Sequence, residues 1–291
     1  MAAAVYPPDQ FHGFSLPGIV NDLDAFKVLQ SAGVLHASRQ CKVGHPMKVN
    51  YHRSRLRWRC YRKGCRKQNS VRTGTFLENT RISLSKFLTY LFFWTNEVGQ
   101  AQAAYFVGLS HKTVADIRSR LREICQFANE REPELGPGRV QADESWFKGS
   151  YKTWVLAAIS QRTRHVRAKR VPNRKGRGTL YPILRKWIGS EATLLTDGAT
   201  CYKSVNQVCK WIHITCNHSI GEWVEETTGA TVNSVENFWS ICKHRWDGRD
   251  LDLFLAEQVW RYNLKSDGIP TYMVASLILI EIARQHPPTR E

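Results

Sequence analysis

"RVQADESWFKGSYKTWVLAAISQRTRHVRAKRVP", residues 139–172, decides how the second half of the chain folds. Three runs in it, "RVQADESWF", "TWVLAAISQ" and "RHVRAKRVP", are rich in strand-forming residues and are separated by short turns, which predicts three consecutive strands. Downstream the pattern changes. "LYPILRKWI" predicts a helix, "ATLLTD" a short apolar strand ending in Asp197, "IHIT" another strand, and residues 233–246 a further helix. A strand meander followed by alternating helix and strand predicts an α/β domain with a mixed sheet over residues 139–265. The polar, Pro- and Gly-rich "EREPELGPGR" just before it reads as a linker, placed at 131–138.

Two acids in this domain end up on apolar strands. Burying a lone carboxylate is costly, two carboxylates side by side repel, and a divalent cation between them removes the repulsion. Asp143 lies in the first strand and Asp197 closes a later one. Glu144, next to Asp143, points to the opposite face of the strand, so Asp143 is the one expected in the site. Asp197 alone would also suit a turn in "TDGA". Glu236, in "VNSVENFWSICKHRW" (232–246), has two readings. With Asn233 as N-cap it has the capping-box spacing; alternatively it is a third metal-binding acid. Val235, Trp239, Cys242 and Trp246 form the expected buried stripe of this helix. Glu236, Ser240, Lys243 and Asp247 form a neighbouring one, so Lys243 lies about two turns from Glu236, where it would meet a phosphodiester strand.

Charge names the partner class. Forty-two Lys and Arg against 25 Asp and Glu leave +17, with a pI near 9.7. Such an excess suits a polyanion, of which nucleic acid, double-stranded DNA included, is the commonest. The excess is localised: residues 39–75 and 145–190 each hold 12 Lys or Arg and no acid. Such stretches read as contacts with a phosphate backbone. No apolar run reaches 18 residues, so no membrane is expected. The first residues lack a basic region followed by a long apolar core, so no secretory signal is expected. The expected location is intracellular: the nucleus in a eukaryote, the cytoplasm or nucleoid in a bacterium. Five scattered cysteines then read as reduced thiols.

The first 130 residues read as three parts. Residues 1–38 hold a lead-in and a helix over 19–32, with Val20, Leu23, Phe26 and Leu29 on one face. Residues 39–78 hold short strands together with Cys41, His45, Cys60 and Cys65, whose paired spacing fits one structural zinc ion in a segment with little core of its own. His52 is the alternative to His45. Residues 79–130 read as helical. Around Gly108 and Ser110 two helices meet in a tight turn, the helix-turn-helix pattern. On the second, Val114, Ile117, Leu121 and Ile124 are expected inside. His111, Lys112, Arg118, Arg120 and Arg122 are expected outside, with His111, Lys112 and Arg118 as the DNA contacts. Residues 266–291 read as a C-terminal helix and tail.

"RWRCYRKGCRKQNSVRTGTF", "DESWF", "LLTDGATCY" and above all "CNHSIGEWVEETTGATVNSVENFWSICK" follow one another in the order of a known family. The chain resembles DDE transposases of the Merlin superfamily, related to a group of bacterial insertion-sequence transposases. The resemblance runs from about residue 20 to 265. It implies an RNase H-like catalytic domain behind a zinc-ribbon-like segment and a helix-turn-helix region. It places the catalytic, Mg-binding acids at Asp143, Asp197 and Glu236 and implies two Mg²⁺ ions. It implies strand cleavage at transposon ends, joining of the 3′-hydroxyl to target DNA, and a homo-oligomer holding two ends. The sequence departs from the family at His45, where a second cysteine is usual, and in a shortened stretch after "DESWF". The rival reading is a transposase-derived DNA-binding regulator that keeps the acids without cutting.

Overall fold

The computed structural model of the chain describes residues 19, 21–52, 55–148, 152–216, 233–246 and 248–289. The chain forms two compact units, residues 1–124 with 269–291, and residues 125–268.

In the first unit, α1 (Asp22–Ser31) starts where Asn21 Oδ1 accepts from the N–H groups of Leu23 and Asp24 at 2.8 and 3.1 Å. A small antiparallel sheet follows, in the order β1 (Met47–His52), β2 (Arg55–Cys60), β3 (Gln68–Ser70). Phe26 of α1 packs edge-on against Trp58 of β2, ring centroids 6.2 Å apart. α2 (Leu84–Thr95) is the apolar centre of the unit. It buries Phe87, Leu88, Leu91 and Trp94 and packs against α1 and the C-terminal helix Thr271–Gln285.

α3 (Gln100–Val107) ends at Gly108, whose φ of 65° is the left-handed value that favours glycine. Ser110 Oγ then accepts from Thr113 N at 3.1 Å at the start of α4 (His111–Glu130). Val114, Ile117, Leu121 and Ile124 are buried as expected, while His111 and Lys112 are exposed. Three arginines expected outside are covered in whole or in part. Arg122 is buried. Arg120 is half-buried, its guanidinium 4.3 Å over the Phe76 ring and donating to the Phe76 carbonyl. Cys125 and Ala128 are buried as well, so the covered face of α4 is wider than its aliphatic stripe, and long arginine stems lie along it. Arg118 is also half-buried.

The second unit is built on a five-stranded sheet. Its elements are β4 (Gly138–Phe147), β5 (Thr153–Ser160), β6 (Val166–Val171), α5 (Tyr181–Trp187), β7 (Ala192–Thr196), α6 (Val205–Cys209), β8 (Ile212–Thr215), α7 (Asn233–Arg245) and α8 (Leu251–Ser266). The strand order is β6-β5-β4-β7-β8. β4, β5 and β6 pair antiparallel, and β7 and β8 add parallel to β4. A three-strand meander extended by two parallel strands on its first member is the RNase H-like arrangement that the sequence motifs imply. The mixed α/β sheet and its strands stand where the periodicity placed them.

Both faces of the sheet are covered, which is why β5 is buried from Val155 to Ser160. On one face Val140 and Ala142 of β4 pack with Leu180, Tyr181, Leu184 and Tyr202. On the other, Val155, Ala157 and Ile159 of β5 pack with Val235, Phe238, Trp239 and Cys242 of α7 and with Phe254 and Leu255 of α8. Side chains alternate along β4, so Gln141 and Asp143 share the α7 face and Glu144 takes the other.

Candidate active site

The pairing of β4 with β7 sets the site. The two strands are parallel with Gln141 opposite Leu195. Two residues further along each chain are Asp143 and Asp197. Asp197 follows immediately on β7, and its Oδ1 accepts from Ala199 N at 3.0 Å. It therefore serves the "TDGA" turn and also stands beside Asp143. Burial, reinforced by the charges of Asp197 and Glu144, pushes the Asp143 carboxyl up to about 7. Trp239 Nε1 of α7 donates to Asp143 Oδ2 at 3.0 Å. Among the described residues no Lys or Arg pairs with Asp143.

α7 is fastened to the same strand. The N–H groups of Ser234 and Val235 donate to Gln141 Oε1 at 3.0 and 3.2 Å. A helix leaves its first N–H groups without intrahelical partners, and here a buried amide from β4 takes two of them. Gln141 and Trp239 thus clamp the first two turns of α7 against β4, with Glu236 between the two attachment points. Glu236 is half-buried and Lys243 is exposed on the same helix. The buried stripe is Val235, Phe238, Trp239 and Cys242; Trp246, expected in it, is only partly covered, and Phe238 takes the place the spacing did not assign. The stretch 217–232, which carries much of the longest motif, lies outside the described residues, as does Asp247.

Glu144, on the opposite face of β4, has a different environment. Arg174 Nε donates to its Oε2 at 2.9 Å, and Tyr202 OH donates to its Oε1. Burial still raises its pKa, against the Tyr202 and Arg174 contacts that lower it. Sequence reasoning set Glu144 aside and missed Gln141. The signal for Gln141 was an amide between apolar residues two positions before an acid, on the acid's own face.

A second cluster lies in the first unit. Cys41 and His45 stand in the turn before β1, and Cys60 and Cys65 flank the turn after β2. Their ligand atoms all lie within 4.8 Å of one another. Cys65 Sγ is 3.6 Å from Cys41 Sγ, and Cys60 Sγ is 3.8 Å from His45 Nδ1. Thiolates sharing one tetrahedral zinc at about 2.3 Å stand about 3.8 Å apart, so the spacing is that of a closed four-ligand site. Burial works against ionisation of Cys41, but the backbone N–H groups of Val43 and His45 outweigh it and lower its pKa. His52, the alternative ligand, sits at the far end of β1, opposite Arg55. The four residues could hold one metal ion.

Residues 137–263, spanning β4 to most of α8, match the ISXO2-like transposase domain. This bears out the family resemblance read from the motifs. A solved structure similar to this chain is the catalytic core domain of the HTLV-2 integrase, in complex with magnesium and in a dimeric form. It is 17% identical over 44% of this chain and 86% of its own, with a TM-score of 0.30. No curated protein matches the chain. Among the described residues no helix is long and apolar enough to cross a membrane.

Proposed function

With residues 137–263 read as a transposase domain, we propose that the chain is a Mg-dependent DDE transposase that binds transposon ends, cleaves DNA there and joins the freed 3′-hydroxyl to target DNA. The observation that carries the reading is that Asp143 in β4 and Asp197, directly after β7, lie toward the same end of two parallel strands, close enough for the Asp197 charge to raise the Asp143 carboxyl, with the helix of Glu236 clamped to β4. Two crowded carboxylates, one of them half-buried and, among the described residues, without a basic partner, form the donor set that a hard divalent cation suits. Asp143, Asp197 and Glu236 would hold it. When bound, two Mg²⁺ ions stabilise the attacking and leaving oxygens of phosphoryl transfer.

The chain's own residues do the rest. Trp239 fixes one oxygen of Asp143, and Gln141 fixes the helix from which Glu236 enters. Lys243, exposed further along that helix, meets the strand's phosphates. In the first step water attacks a phosphorus at the transposon end and the 3′ oxygen leaves. In the second that 3′-hydroxyl attacks a phosphorus of target DNA, and a target 3′ oxygen leaves. The zinc-ribbon-like segment and the α3–α4 pair, through His111, Lys112 and Arg118, find the ends. The protein works as a homo-oligomer that holds two of them, inside the cell.

The test is a duplex carrying the inverted repeats that flank the reading frame. The protein is expected to nick it in Mg²⁺ and not in EDTA, with affinity that falls steeply as salt rises because many counterions are displaced. Tight binding without nicking, in Mg²⁺ or Mn²⁺, would make the chain a DNA-binding regulator instead.

A further inference from the structure

Three of the seven arginines in the acid-free stretch 145–190 bond to other parts of the second unit. Arg167 donates to the carbonyls of Asn129, Glu132 and Pro133, ending α4. Arg170 pairs with Asp252 at 2.7 Å. Arg185 donates to the Val208 carbonyl. The turn at residues 173–177, "NRKGR", gathers three cations within four positions. Lys175 and Arg177 are exposed, and the Arg174 side chain is 37% exposed although its partner Glu144 is 0%.

This turn is held rigidly and close to the acids. A Cβ on Gly176 would lie 2.1 Å from the Cys201 carbonyl oxygen, so only glycine allows the approach. Arg177 Nε donates to Ser204 Oγ at 3.2 Å, and Tyr181 OH to the Cys201 carbonyl at 2.7 Å. Asn173 Oδ1 accepts from Lys175 N at 2.9 Å and from Thr179 Oγ1 at 2.8 Å. The turn is thereby fastened to the segment that follows Asp197. Arg174 itself is aimed: Nε is tied to Glu144, and the guanidinium lies 4.7 Å over the Trp154 ring. Among the described residues the hydrogen bond of this guanidinium is made by Nε, and the side chain keeps 37% of its surface exposed. A planar guanidinium held by one edge presents the other edge as a fork that fits two phosphate oxygens.

We infer that the 173–177 turn grips the sugar-phosphate backbone of the DNA strand entering the carboxylate site, with Arg174 as its main phosphate contact and Glu144 as the positioning residue that aims it. The inference rests on the reading of the chain as a DNA-cutting enzyme. It gives Glu144 a task distinct from that of Asp143: one residue of β4 faces the cation site, and the next orients the strand clamp.

The test is fluorescence anisotropy of the full chain with a mixed-sequence DNA duplex without added Mg²⁺ or chelator, where nothing is cut, across a salt series. Loss of one phosphate contact lowers the slope of log affinity against log salt by about one. Arg174→Ala is expected to weaken binding about tenfold and to lower the slope by that amount. Arg174→Lys and Glu144→Gln keep the cation but lose the aimed fork, so affinity falls several-fold while the slope stays. A general loss of folding would not produce that split. Parent affinity and slope in Arg174→Ala would overturn the inference and leave the transposase reading standing. If Arg174→Ala does not fold, parent affinity in Arg174→Lys overturns it. A parent protein whose DNA binding ignores salt would overturn the transposase reading itself.

Discussion

Asp143→Asn is expected to make the metal-free protein more stable at pH 8 and to remove the proposed DNA cutting. The Asp143 carboxyl is raised to about 7 by burial and by the neighbouring Asp197 and Glu144 charges. In the unfolded chain its pKa is near the ordinary aspartate value of 3.8. The folded state therefore binds more protons between those two values, and this group's contribution to stability falls as pH rises from about 4 through about 7. Above that window the full cost remains, on the order of 4 kcal/mol at most. Asn removes the charge and still offers an oxygen to Trp239. Without added divalent cation at pH 8 the variant is expected to melt roughly 5–10 °C above the parent, and at pH 4 the two should coincide. Mg²⁺ should raise the melting point of the parent and not of the variant, because only the parent keeps the charges that attract it. A variant less stable than the parent at pH 8 would show that the Asp143 carboxylate is a structural group.

Loss of zinc from the proposed four-ligand site is expected to have the second large effect. Little apolar material covers the β1–β3 sheet beyond Met47 and Trp58, so a metal joining Cys41, His45, Cys60 and Cys65 would supply much of its cohesion. Structural zinc in small domains is worth about 10–16 kcal/mol of folding free energy at neutral pH. Elemental analysis should find about one zinc per chain. Cys60→Ser with Cys65→Ser should release it, expose the 39–70 segment to protease and abolish selective binding to the ends, while residues 125–268 keep their own melting transition. His45→Ala should weaken zinc retention and His52→Ala should not. Zinc retained at one per chain by the double variant would contradict the assignment.

What the sequence showed of this fold is what local pattern carries. Alternation marked β4, β5 and β6, a short apolar run marked β7, and spacing alone assembled the four zinc-type ligands. What it concealed are contacts made at a distance. Gln141 reaches N–H groups 93 and 94 positions away, and nothing in "RVQADES" announces a helix cap. Trp239 counted as one more apolar residue of a stripe, although its indole N–H holds Asp143. Arg174 and Tyr202 meet Glu144 only because the loop after β6 and the loop after β7 converge on one face of β4. Arg122 was misplaced because a charged residue on a helix was assigned to the surface, whereas the buried face of α4 is broad enough to cover its stem.

The most direct test of the account is Glu236→Gln. A capping residue tolerates the change, since Gln reaches a backbone N–H as well as Glu does. A divalent-cation site does not, since Gln lacks the charge. Thermal melting, DNA affinity and cutting of a terminal-repeat duplex in Mg²⁺ are measured on parent and variant side by side. The expected result is a variant that melts within a few degrees of the parent, binds DNA equally and no longer cuts, with no further loss when Asp143→Asn or Asp197→Asn is added. Cutting at the parent rate by Glu236→Gln would contradict the three-acid site, leave Glu236 as a helix cap and send the search for the third ligand to Glu225 or Glu226.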